Sequence, residues 1–162
     1  MDGVIEMRKA TFGAGCFWHV EEAFRLMPGV LSTAVGFMGG TLPDPTYRAV
    51  CTGRTGHVEV VEVVYEPEQV SYEELLKVFW EIHDPTSLDR QGPDVGDQYR
   101  SVVFYHDEEQ KEQAEASKGL LEKSGRYKKP VVTEVREAGA FYLAEEYHQQ
   151  YLEKRGLNRC TS

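Results

Sequence analysis

Hydrophobic and polar positions along the chain predict strands and helices in alternation. Runs with a period of two predict strands, and apolar residues three and four positions apart predict helices. The strands are predicted over 7–13, 30–37, 57–65, 100–106 and 131–137. The helices are predicted over 17–26, 71–83, 107–123 and 144–154. Between them, the segment 84–98 contains two prolines and two glycines and is predicted to be a long loop, which is often functional.

The order of these elements predicts an α+β domain. It is expected to be a two-layer sandwich in which helices pack on a mostly antiparallel sheet. The first elements run β-α-β-β-α-β, which is the order of a ferredoxin-like core, and additional elements follow at the C-terminal end. We expect residues 1–156 to form a single domain and residues 157–162 to form a mobile C-terminal tail.

Composition and charge narrow the function classes. The 162 residues are 41% hydrophobic and 28% charged, as in ordinary globular proteins. A net charge of −9 opposes nucleic-acid binding, because phosphates repel an acidic surface. No apolar run is long enough to cross a membrane, and residues 1–9 lack the pattern of a signal peptide. We therefore expect a cytoplasmic protein that binds neither nucleic acid nor membrane, and we expect it to be a monomer.

The three cysteines, Cys16, Cys51 and Cys160, lie far apart in the sequence. No CxxC pair occurs, so a zinc site of the usual spacing is not expected. In a reducing compartment, an odd number of cysteines favours redox or nucleophilic chemistry over a disulfide framework. Cys160 lies in the predicted tail, from which a thiol can reach a distant site. The alternative is an incidental exposed cysteine.

Cys16 lies where the first predicted strand gives way to the first predicted helix, between Gly15 and the aromatic pair Phe17 and Trp18. Unpaired N–H groups at a helix N-terminus carry partial positive charge, so we expect them to favour the thiolate. Phe17 and Trp18 offer an apolar wall for a small uncharged group. A nucleophilic cysteine beside an aromatic pocket is one interpretation. A cysteine buried in an aromatic core is the other.

The valine-rich strand over 57–65 carries two carboxyl groups, Glu59 and Glu62, on opposite faces. Both faces are largely apolar, which predicts a central strand covered on both sides. Burial disfavours the charged form of a carboxyl and raises its pKa, so that it can act as a general acid near neutral pH. The pattern does not choose between Glu59 and Glu62. A solvated carboxylate, or one paired with an arginine at a strand end, is the alternative.

Many short motifs match one known family in order and spacing. They are Gly15-Cys16-Phe17-Trp18, Gly39-Gly40, Pro45-Thr46-Tyr47, Val50-Cys51, Gly53, Thr55-Gly56-His57-Val58-Glu59, Ser71-Tyr72-Glu73, Phe79-Trp80, His83-Asp84-Pro85-Thr86, Arg90-Gln91-Gly92, Asp94, Gly96, Gln98-Tyr99-Arg100-Ser101 and Ala144-Glu145-Glu146-Tyr147-His148-Gln149. On these motifs the chain resembles the peptide methionine sulfoxide reductase A family. The resemblance extends from Thr11 to about Leu152.

The resemblance implies an enzyme. Members of this family reduce the S epimer of methionine sulfoxide to methionine, in proteins or as the free amino acid. By resemblance, Cys16 is the nucleophile and becomes a sulfenic acid when methionine leaves. Glu59 stands at the position of the proton donor of the family, so the resemblance, unlike the strand pattern, favours it over Glu62.

The resemblance also implies the remaining site residues. Tyr47 and Tyr99 match two phenols that hydrogen-bond the sulfoxide oxygen. Asp94 matches a carboxylate that helps to organise the site. Phe17 and Trp18 match the pocket that holds the S-methyl group.

Recycling of the sulfenic acid is implied in the same way. Family members commonly form a disulfide with a resolving cysteine in a C-terminal tail, and thioredoxin reduces that disulfide by exchange. Cys160 is the expected resolving cysteine, and Cys51 is interpreted as structural. Direct reduction by an external thiol, without a resolving cysteine, is the third route. No metal or organic cofactor is implied, only thioredoxin or another dithiol.

Two functions from other classes are the alternatives. A cysteine hydrolase would need a histidine base beside Cys16. A non-catalytic sulfoxide-binding module would be expected to lack Cys16 or Glu59, and both are present. His19, Phe37 and Asp44 depart from the residues that are frequent in the family, but none of these changes removes a catalytic group.

Overall fold

The computed structural model describes residues 7–154, which form a mixed α+β fold. The strands are β1 (Arg8–Ala14), β2 (Val30–Met38), β3 (Val58–Tyr65), β4 (Arg90–Gln91), β5 (Asp94–Val95), β6 (Ser101–Tyr105), β7 (Glu134–Glu137) and β8 (Tyr142–Leu143). The α-helices are α1 (Phe17–Arg25), α2 (Tyr47–Val50), α3 (Tyr72–Glu81), α4 (Glu108–Lys123) and α5 (Tyr151–Lys154). Two 3₁₀ turns lie at Asp97–Tyr99 and Glu146–His148.

The main sheet has six strands in the order β7-β6-β1-β3-β2-β8. Neighbouring strands are antiparallel except β6 and β7, which are parallel. The strand β3 lies at the centre, between β1 and β2. Strands β4 and β5 form a separate hairpin, within the segment predicted to be a loop. The mostly antiparallel sheet predicted from the order of elements is confirmed.

Both faces of the sheet are covered. The helices α1 and α3 pack on one face, where Phe12 of β1 is fully buried. Its ring stacks on Phe24, Phe79 and Tyr72, with centroids 5.0, 5.2 and 6.0 Å away. The other face buries a smaller cluster made of Met38, Val58, Val60, Val102 and Phe104. The run of valines in β3 follows from this double burial.

The ends of the long elements agree with the sequence pattern to within a few residues. The helix α3 begins with a capping box, in which the Glu74 N–H donates to the Ser71 hydroxyl and the Ser71 N–H donates to the Glu74 carboxylate, both at 3.0 Å. The sequence pattern does not predict α2, β4, β5 and β8, because pieces of two to four residues show no periodicity. Within residues 7–154, no helix is long and apolar enough to cross a membrane.

The predicted helix over 144–154 is wrong except for its last turn, α5. The side chain of Gln149 accepts a hydrogen bond from the Val35 N–H at 2.9 Å and donates to the Val35 carbonyl at 2.9 Å. It also donates to the Ala144 carbonyl at 3.0 Å. Gln150 then has a φ of 52°, in the left-handed region. These contacts with β2 outweigh the local helix propensity of the segment.

Candidate active site

The turn between β1 and α1 positions Cys16. Gly15 has a φ of 102°, which favours glycine, and a Cβ there would lie 3.0 Å from the Gln91 side chain. Cys16 is the N-cap of α1, and its carbonyl accepts hydrogen bonds from the N–H groups of His19 at 3.2 Å and Val20 at 3.3 Å. The thiol is therefore presented half-buried at the N-terminus of α1, as the sequence predicts.

The expectation that this helix N-terminus ionises Cys16 is wrong for the resting protein. Burial, followed by the nearby Glu59 carboxyl, raises the pKa of the Cys16 thiol to about 12. The backbone N–H groups of Trp18 and His19 lower this pKa, as a helix N-terminus should, but their effect is smaller. Desolvation outweighs these two N–H groups because it directly disfavours the charged thiolate. The Cys16 thiol is therefore neutral at neutral pH.

Glu59 provides the buried carboxyl of the site. It is 1% exposed, and its Oε1 accepts a hydrogen bond from the Phe17 N–H at 3.2 Å. Burial raises the pKa of Glu59 to about 8, although the Phe17 N–H acts in the opposite direction. Oε2 is buried and has no hydrogen-bond partner among the described residues. At neutral pH the carboxyl is therefore protonated, and it holds a proton that it can donate.

Glu62 lies on the opposite face of β3. It is only partly buried, and its Oε2 lies 3.9 Å from the Nζ of Lys9, whose side chain is largely exposed. Because Glu62 lies inside β3 and pairs with a lysine, it matches neither form of the alternative, which was a strand-end carboxylate that is solvated or paired with an arginine. Of the two carboxyl groups on β3, Glu59 is the one that acts electrostatically on Cys16.

Two phenols and a second carboxylate surround Cys16 and Glu59. Tyr47 begins α2 and Tyr99 ends a 3₁₀ turn, and the two side chains interact with each other. Burial raises the pKa of both phenols, and Glu59 raises it further. Asp94 begins β5 and raises the pKa of Cys16, Glu59 and Tyr99. The fold thus brings together the five residues that the resemblance assigns to the chemistry.

An aromatic wall stands beside these groups. Trp18 is half-buried, its ring stacks on Tyr151 with centroids 3.8 Å apart, and its Nε1 donates to Nδ1 of His148 at 2.9 Å. Phe17 is 1% exposed, and its ring packs 5.3 Å from His148 and 6.1 Å from Tyr47. Of the predicted pocket residues, Trp18 therefore offers the accessible surface, and Phe17 supports the wall from behind.

His148 and Tyr151 are members of this wall that sequence reasoning missed. His148 is fully buried, and burial lowers its pKa. Because Nδ1 accepts from Trp18, the ring proton lies on Nε2, which has no partner among the described residues. The sequence feature that could have pointed to His148 is the family motif that ends in His148 and Gln149. The helix predicted over 144–154 did not place this motif beside Trp18.

His57 and His83 use their ring nitrogens in hydrogen bonds within the fold. The Gly40 N–H donates to Nδ1 of His57 at 3.1 Å, and Nε2 of His57 donates to the Leu42 carbonyl at 2.7 Å. Nδ1 of His83 donates to the Phe79 carbonyl at 2.6 Å. Burial lowers the pKa of His83 to about 4, so that the ring is neutral.

The other two cysteines differ in what the structure shows of them. Cys51 is exposed at the C-cap of α2, and its thiol interacts with Tyr47. Cys51 therefore lies next to Tyr47 of the candidate site, whereas the sequence analysis gave it only a structural role. Cys160, the expected resolving cysteine, lies outside the described residues. So does the predicted tail over 157–162.

A cavity of about 550 Å³, which we call the α1 groove, adjoins the site. It lies between α1, the end of α3 and the β4–β5 hairpin, and its lining includes Cys16 and Asp94 but not Glu59, Tyr47 or Tyr99. His19, one of the residues that depart from the family pattern, is half-buried in this lining. Within residues 7–154, no cluster of three or more His, Cys, Asp or Glu side chains is arranged to hold a metal ion.

Comparisons with known proteins identify the family. A family model described as peptide methionine sulfoxide reductase matches residues 8–162. The peptide methionine sulfoxide reductase MsrA of Methanothermobacter thermautotrophicus is 64% identical over 152 residues, which are 94% of this chain and 90% of that protein. The chain belongs to the peptide methionine sulfoxide reductase A family. It is an oxidoreductase that reduces methionine sulfoxide in peptides.

Solved reductases of this family share the fold. Methionine sulfoxide reductase A of Corynebacterium diphtheriae superposes with a TM-score of 0.82 at 42% identity, covering 98% of this chain and 79% of that chain. Mxr1 of Saccharomyces cerevisiae, solved in complex with Trx2, gives a TM-score of 0.61 at 24% identity, covering 93% of this chain and 87% of that chain. At that lower identity the likeness concerns the fold alone.

Proposed function

We propose that this reductase acts on the S epimer of methionine sulfoxide, protein-bound or free, through a sulfenic acid on Cys16. The observation that carries the proposal is a protonated, buried carboxyl beside a half-buried thiol. The pKa of Glu59 is about 8, and the same carboxyl raises the pKa of Cys16. A carboxylic acid that is neutral at pH 7 suits protonation of a sulfoxide oxygen better than activation of a thiol.

The proposed step transfers one oxygen atom. Glu59 donates its proton to the sulfoxide oxygen while the Cys16 sulfur attacks the electron-poor sulfur of the substrate. The bond that this attack forms between the two sulfurs breaks together with the S–O bond of the substrate, as the protonated oxygen passes to Cys16 and leaves it as a sulfenic acid. The thiol proton of Cys16 restores the Glu59 carboxyl. The substrate sulfur gains the electron pair that Cys16 loses, and methionine leaves.

The neighbouring groups support this step. Burial and Glu59 raise the pKa of Tyr47 and Tyr99, so both phenols keep their protons and act as donors to the sulfoxide oxygen, where negative charge develops. Asp94 organises the site and helps Glu59 to stay protonated by raising its pKa. Trp18 and, behind it, Phe17 hold the S-methyl group.

We propose that Cys160 resolves the sulfenic acid. Its thiol condenses with the Cys16 sulfenic acid, water leaves, and a disulfide forms, which the dithiol of thioredoxin then reduces by exchange. The family resemblance of the tail cysteine supports this route, and the solved complex of Mxr1 with Trx2 is a precedent for the partner. Cys51 is the second candidate, because its exposed thiol interacts with Tyr47.

We propose that residues 1–156 act as one catalytic unit, as a monomer without a metal or organic cofactor, and that the segment 157–162, which lies outside the described residues, supplies Cys160. A ferredoxin-like core is supported by the antiparallel strand order β6-β1-β3-β2, with α1 after β1 and α3 after β3.

A turnover assay with mass detection tests the chemistry. Peptides containing either the S or the R epimer of methionine sulfoxide are incubated with excess dithiothreitol and the enzyme. We expect loss of one oxygen atom from the S epimer only, abolished in Cys16→Ser and retained in the matched control Cys51→Ser. Binding of the S epimer without oxygen loss would favour the sulfoxide-binding module, and an acyl-enzyme formed from an ester would favour the hydrolase.

The recycling route is tested separately with thioredoxin as the only reductant. We expect Cys160→Ser to stop after a single turnover and Cys51→Ser to turn over like the parent enzyme. Arrest of Cys51→Ser alone would transfer the resolving role to Cys51. Full turnover of both variants would point to direct reduction of the sulfenic acid.

A further inference from the structure

The α1 groove is larger than the proposed chemistry requires. Its volume of about 550 Å³ lies within the range of sites that enclose a whole small-molecule ligand. The groups proposed to hold the sulfoxide oxygen, Tyr47, Tyr99 and Glu59, are not in its lining, whereas Cys16 and Asp94 are. A substrate whose sulfoxide sulfur lies at Cys16 therefore has a second, continuous space to occupy along α1.

We propose that the α1 groove binds the peptide segment flanking the methionine sulfoxide, and that it favours an apolar side chain together with a lysine or arginine. The proposal rests on the proposed function, because it assumes that the sulfoxide is reduced at Cys16. It narrows the substrate class to peptides in which the methionine sulfoxide has an apolar and a basic neighbour.

The preference for an apolar neighbour follows from the walls of the groove. Ala23 and Leu26 contribute one wall from α1, and Ile82 and Pro93 contribute the other. Leu26 is 58% exposed, so its side chain offers accessible apolar surface at the groove. Together these apolar side chains line a cavity in which an apolar side chain of a bound peptide can be removed from water.

The preference for a basic neighbour follows from the charges. Two carboxylates, Glu22 and Asp94, line the groove, and its described lining contains no lysine or arginine. Glu22 is paired with Arg25 at 3.0 Å, but Asp94 has no ion pair among the described residues. A cationic side chain of a bound peptide would therefore find Asp94 available, and the net charge of −9 attracts such a peptide from a distance.

The hairpin wall of the groove is held in place before any peptide binds. The Gln91 side chain accepts from the Asp84 N–H at 2.9 Å and donates to the Asp84 carbonyl at 2.8 Å. Nε of Arg90 donates to the Gly92 carbonyl at 2.9 Å. These bonds fix β4 and its turn next to Gly15 and Cys16, so little ordering is needed on binding.

The test uses Ala23→Phe, which fills the groove without touching the catalytic groups. Ala116→Phe, at an exposed position on α4, is the matched control. The substrates are free methionine S-sulfoxide and two heptapeptides, in which the S-sulfoxide is flanked either by leucine and lysine or by serine and glutamate. Dithiothreitol is the reductant, so that thioredoxin and the tail are not needed for turnover.

We expect the parent enzyme to show a kcat/KM about tenfold higher for the leucine–lysine peptide than for the serine–glutamate peptide. Ala23→Phe should remove this difference and leave free methionine sulfoxide within about twofold of the parent, while Ala116→Phe changes neither. The preference of the parent enzyme for the basic peptide should also decrease as NaCl screens Asp94. The salt dependence is measured on the parent enzyme, so it tests the preference for the basic peptide even if Ala23→Phe fails to fold.

Three results would overturn the proposal. The first is an equal kcat/KM of the parent enzyme for the two peptides. The second is a loss of kcat/KM in Ala23→Phe that is equal for the peptides and for the free sulfoxide. The third is an effect of Ala23→Phe that occurs only when thioredoxin is the reductant. The last result would assign the groove to thioredoxin or to the chain's own tail. Absence of turnover of all three substrates by the parent enzyme is a distinct result, which would overturn the proposed function itself.

Discussion

At the residue scale, Glu59 and Cys16 are two acids that burial holds in their neutral forms. Burial raises the pKa of Glu59 to about 8 and that of Cys16 to about 12. Charge on either group disfavours charge on the other, because Glu59 raises the pKa of Cys16. The resting site therefore holds one proton on Glu59 and another on the Cys16 sulfur. The sulfur stays protonated until a substrate accepts the proton of Glu59.

The first prediction concerns the pH dependence of turnover. A raised pKa means that the protonated, donating form of Glu59 persists up to about pH 8 and is lost as the pH rises further. We expect kcat/KM for free methionine S-sulfoxide to be level below that pH and to fall by about tenfold per pH unit above it. Glu59→Gln should lower kcat/KM by about 10²- to 10⁴-fold and remove the break.

Glu62→Gln is the control for this profile, since it removes a carboxylate from the other face of β3. It should keep both the level region and the break of the parent enzyme. If the parent enzyme's profile stayed level through the pKa of Glu59, then Glu59 would not be the proton donor.

The second prediction concerns the intrinsic reactivity of Cys16. Because the pKa of its thiol is raised, we expect alkylation of Cys16 by iodoacetamide to keep accelerating above pH 9, beyond the range of an ordinary thiol. Glu59→Gln should shift this curve to lower pH, because the neighbouring charge is gone. Peptide mapping separates Cys16 from the other cysteines, and a plateau near neutral pH would contradict the expectation.

At the element scale, the segment that follows β8 forms one side of the aromatic wall. Its Gln149 side chain is bonded to the backbone of Val35 in β2 and so holds His148 beside Trp18. The wall therefore depends on a contact between β2 and a segment more than a hundred residues later. Helix periodicity carries no information about such a contact, which is why 144–154 was mispredicted.

The third prediction tests this contact. Gln149→Ala leaves the Val35 N–H without its partner, and we expect a loss of about 1–3 kcal/mol in the free energy of unfolding. We also expect a higher KM with little change in kcat, because the wall loosens while the catalytic groups stay in place. Gln69→Ala, at an exposed position, is the control for denaturant unfolding and should change neither quantity. An unchanged unfolding free energy in Gln149→Ala would show that the bond is replaced by water.

At the scale of the whole molecule, one aromatic cluster joins the central sheet to α1 and α3. Phe12 in β1 stacks on Phe24 of α1 and on Phe79 and Tyr72 of α3. Cys16 follows the end of β1 by two residues, so the same packing that stabilises the fold also fixes the start of α1. Stability and site geometry are therefore linked through β1.

The fourth prediction tests this link. Phe12→Ala removes a fully buried ring, and we expect a loss of about 3–5 kcal/mol in the free energy of unfolding measured with urea. Leu120→Ala, where the side chain is 70% exposed, should change it by less than about 0.5 kcal/mol. A small effect at Phe12 would mean that the rings around it collapse into the space.

The sequence anticipated the long elements and the residue types of the site. The valine-rich β3, the capping box of α3 and the turn at Gly15 follow from local periodicity, capping and backbone preference. The pieces it missed, α2, β4, β5 and β8, are too short to have a period, and all depend on contacts with the rest of the fold. His148 was missed for the same reason, since its place beside Trp18 is a tertiary contact.

The amino-acid sequence by itself determined the family, the order of the long elements and the presence of a cysteine and a carboxyl suited to sulfoxide reduction. Motif spacing and periodicity are properties of neighbouring residues, so they can be read without a fold. Only the tertiary structure decided that Glu59 is buried and protonated while Glu62 pairs with Lys9, and that burial overrides the helix N-terminus at Cys16. The reason is that desolvation and hydrogen bonding depend on groups that are distant in sequence, such as the Phe17 N–H that reaches Glu59 from α1 to β3.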